Sequence, residues 1–181
     1  MMRAFANQEV VAFSREILDQ GEMGKRGVFD GDFIQQLFGL QAQTIITDSL
    51  GIPRMTYEGF SDGGVDLEFN GIKWDVKCVL RNRKPLTSWK CNVSESQLTP
   101  VYEAEGYIFV SYDKKSSEFW IVGWITKKEL LVKADKHSIG DYVLRDDKTG
   151  FVVEEMPFRD IPIRRLKRIY CLDDLKKVGV E

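Results

Sequence analysis

Val65-Asp66-Leu67-Glu68-Phe69-Asn70-Gly71-Ile72-Lys73-Trp74-Asp75-Val76-Lys77 alternates apolar and polar residues on both sides of Asn70-Gly71. Asn-Gly readily takes the two positive φ values of a tight hairpin turn, so the stretch reads as antiparallel strands over 65–69 and 72–80. A two-residue turn sets Phe69 against Ile72, Glu68 against Lys73, Leu67 against Trp74 and Asp66 against Asp75. One face then carries Val65, Leu67, Phe69, Ile72, Trp74 and Val76. The other carries Asp66, Glu68, Lys73, Asp75 and Lys77, and a slip of one residue would exchange the two sets.

Asp66 opposite Asp75 is the anomaly. Directly opposed Cβ atoms lie about 4.5–5.5 Å apart, and like charges there are destabilising. At an effective dielectric near 20 the repulsion is roughly 3 kcal/mol. A divalent cation removes it, because hard oxygen ligands at that separation suit magnesium or manganese. Asp66, Asp75 and the Val76 carbonyl would be the protein's ligands, with waters filling the octahedron. Lys77, two residues on and on the same face, could orient or deprotonate a bound water and stabilise charge on a phosphate. The same alternation also describes a solvated outer face on which Lys73 and Lys77 balance the acids.

Working outward, Phe5, Val10, Phe13, Ile17 and Leu18 recur near a 3.6-residue period, which predicts a helix over 5–20 ended by Gly21 and Gly24. A second helix is expected from Asp32 as N-cap to Leu50, closed by Gly51, with Gly51-Ile52-Pro53 a turn. After the hairpin come a charged loop, a short strand over 89–93 and a short helix over 95–102 capped by Ser94. Strands over 107–112 and 119–125 follow, then a helix over 126–134 capped by Thr126. Beyond Gly140 lie strand-like pieces at 142–144 and 151–154 and a short helix near Leu172. Helices first, then a hairpin, then strands separated by helices, define an α/β or α+β sandwich.

Composition narrows the chemistry. The 181 residues are 43% hydrophobic and 30% charged, which suits one soluble domain with its own core. No apolar run is long enough to span a bilayer or to serve as a secretory leader, so the expectation is a cytoplasmic protein. Cys78, Cys91 and Cys171 lack any C-x-x-C spacing and read as free thiols. With His137 as the single histidine, a zinc cluster is not expected, and hydrolytic chemistry must run on carboxylates, lysines and a metal. The formal net charge of −2 argues against passive coating of nucleic acid. Local basic clusters remain: Lys25-Arg26, then Arg81, Arg83 and Lys84, and the group Arg164, Arg165, Lys167 and Arg168. Arg81, Arg83 and Lys84 directly follow the strand bearing Lys77, so they are the expected phosphate contacts.

Val65-Asp66, then Asp75-Val76-Lys77 after an eight-residue gap, resembles the signature of the PD-(D/E)XK (restriction endonuclease-like) nuclease superfamily. Gly63-Gly64-Val65 stands where that signature usually has its proline. Helix before hairpin, and strand and helix after it, is similar to the family order. Residues 107–112 and 119–125 look like later strands of phage-type or restriction-type members, so the resemblance covers about residues 30–135. It implies a restriction-endonuclease-like mixed central sheet flanked by helices, with a nuclease-like core at 1–135 and a C-terminal extension at 136–181 packed on the same domain. It also implies Asp66 and Asp75 as metal ligands, Lys77 as the catalytic lysine and Gln97, in Asn92-Val93-Ser94-Glu95-Ser96-Gln97, as a residue near the site. Many members carry an acid on the preceding helix, where this chain has Gln43; Glu9 or Glu16 are the substitutes on offer. The activity implied is attack of a magnesium-activated water on a phosphodiester, with DNA the expected substrate and RNA the open alternative, and a homodimer would cut both strands. The rival expectation is a catalytically idle nucleic-acid-binding or accessory protein on the same fold.

Overall fold

Alternation decides which way each strand of the hairpin faces, and the ladder obeys it: Leu67 pairs with Trp74, Glu68 with Lys73 and Phe69 with Ile72. Asn70 and Gly71 take the two positive φ values the turn requires, 53° and 70°. The computed structural model describes residues 1–20, 33–54, 63–145 and 148–180. Asp32, Gly21, Gly24 and the pair Lys25-Arg26 lie outside the described residues. In chain order the elements are β1 (Met2–Ala4), α1 (Gln8–Asp19), α2 (Phe33–Leu50), β2 (Leu67–Phe69), β3 (Ile72–Arg81), β4 (Lys90–Ser94), β5 (Gly106–Asp113), β6 (Glu118–Thr126) and α3 (Lys127–Lys133). Then follow β7 (Asp135–His137), β8 (Tyr142–Leu144), β9 (Gly150–Val152), β10 (Phe158–Pro162) and α4 (Leu172–Lys176).

The central sheet is mixed, ordered β1-β6-β5-β3-β2, with β3 and β5 parallel and the other neighbours antiparallel. Even-numbered Trp74 and Val76 of β3 face α1 and α2, packing with Ile108, Ile121, Ala42, Ile45, Ile46 and Val10. The middle of α2 is buried on all sides, from Leu40 through Thr47, so its hydroxyls need internal partners. Thr44 and Thr47 donate to the Leu40 and Thr44 carbonyls at 2.8 and 3.0 Å. The opposite face of the sheet, through Tyr107, Phe109, Trp120 and Val122, packs on Trp89, Cys91, Val93, Ile161 and Ile163. Most of those belong to a second sheet, ordered β4-β10-β7. The sheet is thus covered by α1 and α2 on one face, and on the other by the second sheet together with Leu130 of α3.

Two expectations need correction. α1 begins at Gln8, since Asn7 accepts from the Val10 amide at 2.8 Å and caps it there. Phe5 lies outside the helix, and Met2–Ala4 extend instead along β6. The helix expected over 95–102 is a single 3-10 turn, Glu95–Leu98. The segment 136–181 supplies the middle strand of the second sheet, and Ile169, Leu175 and Val178 sit in the core beneath α2. No described helix is long and apolar enough to cross a membrane.

The thiols behave as free cysteines, and their environments differ. Burial pushes Cys78 up to about 12, Cys91 is buried and Cys171 is exposed. At pH 8 the thiolate fraction of Cys78 should be on the order of 10⁻⁴, against roughly a quarter for an unperturbed thiol. Iodoacetamide with mass-spectrometric readout should therefore label Cys171 first and Cys78 only in denaturant. Rapid native labelling of Cys78 would contradict its packing against α2.

Candidate metal and catalytic centre

Strand alternation puts Asp75, Lys77, Val79 and Arg81 on the face of β3 away from α2. Asp75 is only 4% exposed, which removes the solvated-face alternative for this residue. Lys77 Nζ lies 2.7 Å from Asp75 Oδ2, its own side chain 25% exposed. Asp75 also acts on its neighbour across the parallel ladder: Tyr107, paired with it, has its hydroxyl pKa pushed well up, first by burial and then by the Asp75 carboxylate. The Tyr107 hydroxyl stays protonated and donates to the Gln97 carbonyl at 3.2 Å.

Asp66 departs from the expected register. The ladder stops at Leu67 opposite Trp74, and β2 does not include Val65 or Asp66. Gly63 and Gly64, at φ 64° and 75°, precede that point. The Asp66 amide donates to the Trp74 carbonyl at 2.8 Å, so Asp66 lies opposite no residue of β3 in the regular sense. Its Oδ2 instead accepts the Val76 amide at 2.6 Å. That bond brings the Asp66 carboxylate to the peptide joining Asp75 to Val76. In an extended strand the N–H and C=O of one residue point to the same edge, so the Val76 carbonyl also faces Asp66.

The helix contributes Gln43. Its Nε2 donates to the Asp66 carbonyl at 2.7 Å, and its side chain is buried. The position expected to carry an acid therefore does reach the hairpin, where it holds the Asp66 backbone and adds no charge. Glu9 and Glu16 are both exposed on α1. Gln97 sits on the 3-10 turn above Tyr107, and its side chain makes no hydrogen bond among the described residues.

The donor set can be tested against a hard divalent ion. Among the described residues no three His, Cys, Asp or Glu side chains converge, so an ion here would have at most two carboxylates. Two carboxylates, a peptide carbonyl and waters are the habitual set for magnesium, which retains several waters. Asp66, Asp75 and the Val76 carbonyl are donors of that kind, and the amide bond to Asp66 uses one of about four lone-pair sites on its carboxylate.

Beyond Lys77 the same face reaches Arg81, about 13 Å farther along the strand. Arg81 donates to the Lys90 carbonyl at 2.8 Å and lies 4.6 Å from the centre of the Trp89 ring, with Arg83 at 5.2 Å from it. Lys84 turns away, its Nζ 4.3 Å from the Trp120 ring. The expected trio is therefore split, with Arg81 and Arg83 lining a cavity of about 550 Å³ and Lys84 outside it. The sequence reading missed Lys90, Arg145, Phe151, Phe158 and Asp160, which line the same cavity from distant parts of the chain. The group from Arg164 to Arg168 does not line it. Compared with models of known protein families and with curated proteins, the chain matches none.

Proposed function

We propose that the protein is a magnesium- or manganese-dependent nuclease of the PD-(D/E)XK kind that hydrolyses phosphodiester bonds of DNA. The observation that carries this reading is the corner where Asp66 meets the Asp75–Val76 peptide at 2.6 Å while Lys77 holds Asp75 at 2.7 Å. A buried acid beside a lysine in the middle of a strand is costly to maintain for stability alone. When bound, a magnesium ion supplies Lewis-acid activation of water and of the phosphate. Asp66 and Asp75 would hold it together with the Val76 carbonyl. Lys77 is positioned to take or orient the proton of an attacking water and to steady charge on the phosphate oxygens. Gln43 fixes the Asp66 backbone so that the carboxylate keeps its place. A cytoplasmic site of action and a two-fold dimer that cuts both strands belong to the same reading.

One observation favours the idle alternative. Gln43 is neutral, and the Asp75 carboxylate already has a cation in Lys77. Nicking of supercoiled plasmid decides between them. Conversion to open circle is expected with magnesium or manganese, none with EDTA, and none in Asp75→Asn. Intact plasmid and intact single-stranded oligonucleotide with both metals would overturn the nuclease reading.

A further inference from the structure

The second sheet has one face on the core, and its other face is not left to solvent. Cys91 and Val93 of β4 and Ile161 of β10 point inward, so Lys90, Asn92, Phe158 and Asp160 point outward. The β8–β9 hairpin brings Val143, Leu144 and Phe151 over them, and the end of β3 closes the side with Arg81 and Arg83. The result is the cavity of about 550 Å³.

Its lining has the chemistry of an anion attached to a flat ring. Arg81, Arg83, Lys90 and Arg145 supply cations, against Asp160 as the acid among the described lining residues. Lys90 is committed to Asp160 at 2.8 Å, and Arg81 to the Lys90 carbonyl. Arg83 and Arg145 form no ion pair among the described residues; each lies against a ring, Trp89 at 5.2 Å and Phe151 at 4.8 Å. Guanidinium planes so held are presented rather than spent, and they suit bidentate binding of phosphate. Phe151 and Phe158 stack at 6.1 Å, too close to admit a ring between them, so a ring would lie on their open side.

Asp160 adds an independent sign. It is 2% exposed, and one of its oxygens, Oδ2, lies within 2.8 Å of Lys90 Nζ and 3.0 Å of His137 Nε2. The other, Oδ1, is buried with no hydrogen-bond partner among the described residues. Leaving a buried acceptor unpaired is destabilising, and Asp160 lines the cavity, so a ligand N–H that reaches Oδ1 would relieve that cost. Phosphate, ring and N–H edge together describe a nucleotide.

We propose that this cavity takes one unpaired nucleotide of a single-stranded segment, its phosphate on Arg83 and Arg145 and its base against Phe151 and Asp160. A base stacked in a duplex cannot reach such a recess without being extruded. The substrate class becomes DNA with a single-stranded part: a flap, a gap or a free end, entering the cavity about 13 Å from Lys77 along β3. The assignment rests on the nuclease reading for the strand being a substrate, whereas the binding itself needs no metal.

The test is fluorescence anisotropy in EDTA with a labelled single-stranded octamer of mixed sequence, its blunt duplex and the same octamer with abasic sites. Wild type should bind the single strand more tightly than either comparison. Arg83→Ala/Arg145→Ala, both at exposed positions, should weaken it roughly tenfold and reduce the salt slope by about 1.4, two contacts at about 0.7 each. Phe151→Leu, which keeps most of the volume, should weaken it about fivefold or more but leave the abasic octamer unchanged. Equal binding by wild type and both variants, or equal binding of duplex and single strand, overturns the proposal. So does free dCMP binding as tightly as the octamer, since the cavity would then serve a free nucleotide. Plasmid nicking with no effect of these variants on octamer binding would sink the cavity assignment and leave the nuclease standing. Octamer binding that depends on Arg83, Arg145 and Phe151 without cleavage of plasmid or of a flapped or gapped duplex, with magnesium or manganese, would do the reverse.

Discussion

Lys77→Ala should lower cleavage by about 10²–10⁴-fold, the range for losing a positioned proton-transfer group. A protonated lysine has no lone pair for a metal, so its contribution belongs to the chemical step. The same substitution also has a stability consequence. Asp75 is almost fully buried and Lys77 only a quarter exposed, so removing the ammonium strips a nearby cation from a buried carboxylate. Breaking a buried pair from one side destabilises by about 3–5 kcal/mol, and partial exposure of Lys77 places this case at the lower end. The two effects separate on adding metal. A cation bound by Asp66 and Asp75 would replace the missing ammonium electrostatically, so magnesium should raise the melting temperature of Lys77→Ala more than that of wild type. Activity should stay low under the same conditions. Thermal melts and plasmid nicking, each with and without magnesium, read both. Cleavage near the wild-type rate removes Lys77 from the chemistry, and identical metal-induced shifts in the two proteins remove the ion from Asp75.

The hairpin was legible because its information is local. Asn70-Gly71 sets the turn, alternation sets the faces, and Leu67 opposite Trp74 follows by counting. Counting failed one residue later. Asp66 leaves the ladder, and its amide and carboxylate bond to Trp74 and Val76 as no alternation rule foresees. Asp66 still reaches β3, through a side-chain bond to the Val76 amide in place of a cross-strand pair with Asp75. What stayed hidden depends on partners far away in sequence. Met2–Ala4 has no period of its own and is a strand only because Phe119–Ile121 lies beside it. Phe158–Pro162 becomes the centre of a sheet by pairing with Lys90–Ser94 on one side and Asp135–His137 on the other. The cavity shares that origin, since Arg83, Lys90, Arg145, Phe151 and Asp160 carry no common spacing. Gln43 was visible as a position on the helix, but its role as a hydrogen-bond donor to the Asp66 backbone needed the packing of α2 on β3.

Gly106→Ala should destabilise the fold by about 2–4 kcal/mol, at or above the usual range for overpacking a core. Gly106 opens β5 and pairs with Trp74 in the parallel ladder. A Cβ at that position would fall within 2.6 Å of Trp74 Cε3 and closer still to Cζ3. The indole has nowhere to retreat: it is fully buried, stands edge-on to Trp124 at 5.4 Å, and donates from Nε1 to the Phe69 carbonyl at 3.1 Å. Trp74→Ala alone should destabilise by about 3–5 kcal/mol through the lost contacts and the space left behind. If the indole resting on the glycine is what forbids a side chain, the double variant should be more stable than the sum of the single effects by at least about 1 kcal/mol. Urea denaturation of the four proteins measures this. The result bears on the site as well, because the Trp74 carbonyl anchors the Asp66 amide and Trp74 immediately precedes Asp75. A Gly106→Ala protein that still folds should therefore bind magnesium more weakly than wild type by calorimetry. Additive stabilities would show that Trp74 does not hold position 106 to glycine, and unchanged magnesium affinity would detach the site from this packing.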